Sequence, residues 1–107
     1  MSFTYLQKIP TPSEILRKMA MPERLKKIKA KRDEEIIAVL KGKDSRLLLI
    51  IGPCSADDED ALSEYVLRLA VVQNKVKDKL ILIPRIYTNK PRTTGSGYKG
   101  MLHQPKA

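Results

Sequence analysis

Arg46-Leu47-Leu48-Leu49-Ile50-Ile51-Gly52 is apolar through its centre, with no alternating polar residues. A short run of that kind, bounded by a turn residue, reads as a strand suited to burial on both faces, as in a parallel sheet. A second run, Lys79-Leu80-Ile81-Leu82-Ile83, begins another such strand, with Pro84 restricting backbone pairing near its end before Arg85-Ile86-Tyr87. Between them, Asp57-Asp58-Glu59-Asp60 places four carboxylates at the start of a helix, where they favour the positive end of its dipole. Leu62, Tyr65, Val66, Leu69 and Ala70 form the expected inward stripe of that helix. The unit is β-α-β. Its crossover is expected to be right-handed, and its functional groups are expected where the strands hand over to loops at their carboxyl ends.

The residues ahead of the first strand read as helical. Thr11-Pro12-Ser13-Glu14 puts an N-cap Thr three residues before a Glu, with Pro at the first helical position, so a short helix should run from here to Ala20. Pro22 resets the chain. From Glu23 to Lys41, Leu25, Ile28, Ile36, Val39 and Leu40 recur mostly at spacings of three and four, and Gly42 supplies the stop. Two segments result: a helical extension over 1–46 and an α/β segment over 47–107.

Composition limits what such a chain can do. Its 107 residues, 42% apolar and 31% charged, suit one globular domain at most. Residues 1–46 carry 12 basic and 6 acidic groups, 47–80 carry 4 and 6, and 81–107 carry 5 and 0, which sums to +9. An aromatic content of 5% leaves few rings for stacking on bases, so no nucleic-acid partner is expected. The excess suits a solvated basic face or small phosphorylated ligands instead. No apolar run approaches the roughly 18 residues needed to span a bilayer, and the start lacks a secretory pattern, so the expected compartment is the cytoplasm.

Two segments at strand ends could carry chemistry. Cys54, in Gly52-Pro53-Cys54-Ser55, is either a small buried hydrophobe or a metal ligand, since a thiolate is soft and charged. Only His103 joins it as a further soft candidate. The second segment holds Arg85, Lys90, Arg92 and Lys99 without one acid, interleaved with Thr93, Thr94, Ser96 and glycines. Guanidinium groups, hydroxyls and approachable backbone amides suit phosphate, but a solvated loop has the same composition. Neither a P-loop nor a dinucleotide fingerprint is present.

Leu48-Leu49-Ile50-Ile51-Gly52-Pro53-Cys54-Ser55, Pro84-Arg85-Ile86-Tyr87, Lys90-Pro91-Arg92-Thr93-Thr94 and Gly97-Tyr98-Lys99-Gly100, in that order, resemble the amino-terminal part of a class I DAHP synthase. The resemblance runs from about Leu25 to the end of the chain. It implies a metal-dependent (β/α)8 TIM barrel that condenses phosphoenolpyruvate with erythrose 4-phosphate and releases phosphate, the first step of the shikimate pathway. Motif by motif, it implies that Cys54 is a ligand of a divalent metal (Mn2+, Fe2+, Co2+ or Zn2+). Arg85 and Lys90 are implied as catalytic residues contacting phosphoenolpyruvate, and the stretch Lys90, Pro91, Arg92 and Thr93 as the holder of erythrose 4-phosphate. The family's other metal ligands, a His, a Glu and an Asp, belong to later strands, and His103 sits too early to be that His.

Residues 1–46 resemble the family's extra-barrel extension, which takes part in subunit contacts and feedback control, so the complete enzyme is expected to be a homo-oligomer. A complete barrel takes about 200 residues or more, and two of its eight strands are represented here. The expectation is therefore a truncated portion, inactive and marginally folded in isolation. The competing expectation is a non-catalytic regulatory or assembly partner that docks on full-length subunits through 1–46.

Overall fold

A computed structural model describes residues 4–89 and 95–97. The chain divides into two compact units, Met1–Glu35 and Ile36–Ala107. The first contains α1 (Pro12–Lys18) and the start of α2 (Glu23–Leu40); the second contains the end of α2, then β1 (Leu47–Ile51), α3 (Glu59–Val76) and β2 (Leu80–Pro84).

In the first unit, α1 forms where its caps dictate. The Thr11 hydroxyl accepts from the Glu14 N–H at 3.2 Å, and the Glu14 carboxylate accepts from the Thr11 N–H at 2.9 Å. This reciprocal pair satisfies two amide donors that a helix start would otherwise leave open. The helix ends at Lys18, two residues short of the expected Ala20. Pro22 starts α2, its carbonyl accepting from the Leu25 and Lys26 amides. Ion pairs Lys26–Glu23, Lys29–Asp33 and Arg32–Glu35 run along the helix at spacings of three and four. The Lys26–Glu23 and Lys29–Asp33 pairs are exposed, and such pairs contribute about 0.2–0.5 kcal/mol each.

In the second unit, Gly42 closes α2 with φ at 73° and donates to the Val39 carbonyl, as the sequence leads one to expect. Arg46 then fixes the entry to β1. Its guanidinium forks onto Asp44 at 2.8–3.2 Å and donates through Nη1 to the Lys77 carbonyl at 3.0 Å, joining the start of β1 to the turn before β2.

The two strands pair in parallel, Leu47 opposite Leu80 through Ile51 opposite Pro84. Side chains alternate between faces, so Leu48, Ile50, Ile81 and Ile83 share one face and Leu47, Leu49, Ile51, Leu80 and Leu82 the other. Helix α3 packs on β2, and Ile81 is 2% exposed. Burying that side chain contributes about 1.5–3 kcal/mol.

Expected burial of β1 on both faces does not hold. Leu47 is 68% and Ile50 65% exposed although they lie on opposite faces, because α3 packs on β2 and not on β1. The inward stripe of α3 is also shifted. Leu62, Tyr65, Val66 and Leu69 are half-buried as expected, but Ala70 is exposed and Gln73 and Val76 take its place.

Gln73 is a polar residue on that inward face because β2 needs it. Lys79 O and Arg85 N bond to β1. By strand alternation, the Leu80 carbonyl and Leu82 N–H point away from β1. The Gln73 side-chain amide donates to Leu80 O at 2.9 Å and accepts from Leu82 N at 2.6 Å, closing this part of the outer edge. Pro84 sits on the same outward side, so its missing N–H removes nothing from the ladder, and Arg85 N extends it to Ile51 O at 2.9 Å.

Candidate functional site

Register brings the two singled-out segments together. Ile51 stands opposite Pro84, so the chain leaves both strands at the same end, with Gly52 beside Arg85. The approach is close: a Cβ on Gly52 would stand 2.1 Å from the Arg85 carbonyl oxygen and 3.1 Å from Arg85 Cβ. Only a residue without a side chain fits there. Further along, the Ala56 N–H donates to the Tyr87 carbonyl at 3.1 Å, and Ala56 is 1% exposed. The loop after β1 is thus laced to the segment after β2 by backbone contacts on both sides of Cys54.

Arg85 lies at the centre of this junction. Its Nη2 donates to the Pro53 carbonyl at 2.7 Å, and its guanidinium carbon lies over the Tyr87 ring, 5.5 Å from the centroid. Neither contact neutralises the charge. A guanidinium carries five N–H donors in one plane, so donation to Pro53 leaves others for a carboxylate or phosphoryl group.

Cys54 follows Pro53 in the same loop and is exposed, which removes the alternative of a buried hydrophobe. Among the described residues no three His, Cys, Asp or Glu side chains cluster as a metal set. Cys54 therefore offers one soft donor, and the described residues do not make a closed metal site by themselves. Lys90, Pro91, Arg92 and Thr93 lie outside the described residues, as does His103.

Asp58 caps α3, accepting from the Asp60 and Ala61 amides at 2.9 and 3.1 Å, so the acidic cluster is engaged at least in part with its own helix. A cleft of about 250 Å3 runs beside it, lined by Pro53, Ser55, Asp57, Asp58, Leu62 and Tyr65. Its two carboxylates make it a poor seat for an anion. A wider cleft of about 470 Å3, lined by Leu47, Lys75, Val76, Asp78 and Leu80, lies at the amino-terminal ends of the strands, remote from Cys54 and Arg85. Sequence reasoning alone misses two contributors, Gly52 as a contact position and Tyr87 as the ring under Arg85. The glycine at the strand end was the available signal for the first.

A family model described as "DAHP synthetase I family" matches residues 20–106. The Phe-sensitive phospho-2-dehydro-3-deoxyheptonate aldolase of Escherichia coli is 38% identical over 100 residues, which cover 94% of this chain and 28% of that protein. The phenylalanine-inhibited phospho-2-dehydro-3-deoxyheptonate aldolase of Saccharomyces cerevisiae is 44% identical over 85 residues, covering 73% of this chain and 23% of that one. A solved phospho-2-dehydro-3-deoxyheptonate aldolase from Francisella tularensis superposes with a TM-score of 0.79 at 28% identity, over 96% of this chain and 30% of that chain. The chain thus spans under a third of the length of these relatives. No helix among the described residues is long and apolar enough to cross a membrane.

Proposed function

Since the chain belongs to the DAHP synthetase I family, we propose that it forms part of a 3-deoxy-7-phosphoheptulonate synthase, an enzyme that joins phosphoenolpyruvate to erythrose 4-phosphate and releases phosphate. The observation that carries this reading is the junction of Pro53 and Arg85, which sets a charged guanidinium beside the Cys54 loop at the carboxyl ends of two parallel strands. That is where open α/β sheets and barrels hold their ligands.

In this reading β1, α3 and β2 are the first β-α-β unit of a (β/α)8 barrel, spanning 47–107, and 1–46 is the helical extension that contacts other subunits of a homo-oligomer. Arg85 and Lys90 bind phosphoenolpyruvate, a ligand with both a carboxylate and a phosphate. Lys90, Pro91, Arg92 and Thr93 hold erythrose 4-phosphate. Two anionic substrates repel one another, so fixed cations that seat them side by side remove both the repulsion and the entropy of bringing them together. Pro53 O serves by orienting Arg85. Cys54 would be one ligand of a divalent metal, Mn2+, Fe2+, Co2+ or Zn2+, which when bound would supply a Lewis acid for the aldehyde.

The test is a titration of the 107-residue chain with phosphoenolpyruvate, followed by nuclear magnetic resonance. Saturable shifts centred on 52–56, 85–87 and Lys90, lost in Arg85→Ala, support the reading. Shifts spread over the basic residues of α2, or none at all, contradict it.

A further inference from the structure

We propose that Tyr87 is a positioning residue for Arg85, its ring holding the guanidinium plane so that the remaining N–H donors face the anionic ligand; this rests on the reading that Arg85 binds phosphoenolpyruvate. Arg85 is exposed, and a long exposed side chain samples many rotamers unless neighbours restrict it. Two neighbours do so. Pro53 O takes one donor at the edge of the guanidinium plane, at 2.7 Å, and the Tyr87 ring lies 5.5 Å from the guanidinium carbon. The edge contact limits rotation within the plane, and the ring limits its tilt.

A ring is suited to this task for a chemical reason. A carboxylate beside Arg85 would occupy two donors and cancel the charge that the ligand needs. The face of an aromatic ring attracts the cation through its quadrupole while leaving the N–H donors and the net charge in place. The backbone that carries the ring is itself anchored, since the Tyr87 carbonyl accepts from the amide of the buried Ala56. The loop that carries Cys54 thereby anchors the Tyr87 main chain, from which the ring reaches Arg85.

The experiment compares the wild-type chain with Tyr87→Phe and Tyr87→Leu, reading the Arg85 side-chain Nε–H resonance and the affinity for phosphoenolpyruvate. Expected are a ring-current shift of that resonance in wild type and Tyr87→Phe, its loss in Tyr87→Leu, and binding weakened about two- to fivefold in Tyr87→Leu alone. An unshifted Arg85 resonance in the wild type overturns the proposal without reference to any variant's folding. So does binding by a folded Tyr87→Leu equal to wild type, or a Tyr87→Phe as weak as Tyr87→Leu. A wild type with the shifted resonance but no phosphoenolpyruvate-dependent change overturns the substrate reading beneath the proposal, and the proposed role with it.

Discussion

Gly52 lies so close to Arg85 that a Cβ added to it would meet the Arg85 carbonyl oxygen at 2.1 Å. The obstacle is backbone, which has no rotamer by which to withdraw. Gly52→Ala must therefore part the ends of β1 and β2 or displace the loop before Cys54. Overpacking of this kind costs about 1–3 kcal/mol. The expected result is a lower urea midpoint, together with loss of the phosphoenolpyruvate-dependent shift at Arg85. A variant with wild-type stability and binding would contradict the account of that junction.

Gln73 joins α3 to the outer edge of β2 through Leu80 O and Leu82 N. Replacement by Leu keeps the bulk and leaves both backbone groups without their partner, which costs about 1–3 kcal/mol. An open edge also invites pairing with another chain. Gln73→Leu should lower the urea midpoint and raise the sedimentation coefficient as concentration increases. An unchanged midpoint would mean that the amide bonds contribute nothing net.

How far the sequence foretells this fold differs from element to element. The strands are legible because Leu47 to Ile51 and Leu80 to Ile83 are continuous apolar runs, and α1 because Thr11 and Glu14 stand at capping-box spacing. Exposure of Leu47 and Ile50 is not legible, since an apolar run says that both faces suit burial without saying which element covers them. The Gly52–Arg85 approach is hidden for a related reason. It is set by the register of Ile51 against Pro84, a relation between residues far apart in the chain. Of the candidate site, the motifs around Cys54 and Arg85 are visible in sequence, whereas the stacking of Arg85 on Tyr87 depends on rotamers that a motif does not encode.

Asp44 supplies a pH dependence. Hydrogen bonds from the Arg46 side chain, then from the Arg46 backbone N–H, hold its carboxyl below the ordinary aspartate value of 3.8. A carboxyl depressed in the folded state contributes stability that is fully present above its unfolded value and is lost as pH falls through the lower folded value. Urea midpoints measured from neutral pH to below 3.8 should fall more steeply in wild type than in Asp44→Asn at the acid end. The two should also differ at neutral pH, with the variant less stable. Parallel curves would show that the Asp44–Arg46 pair does not contribute to stability.

Transplantation asks whether residues of this chain can serve a DAHP synthase active site. Residues 20–106 would replace the matching segment of the Escherichia coli Phe-sensitive relative, and consumption of phosphoenolpyruvate would be measured with erythrose 4-phosphate and Mn2+. An active chimera is expected, with a rate that falls about a hundredfold or more with Arg85→Ala or Cys54→Ser, as when a group that stabilises developing charge is removed. A folded chimera without activity, or one indifferent to both substitutions, would contradict that role.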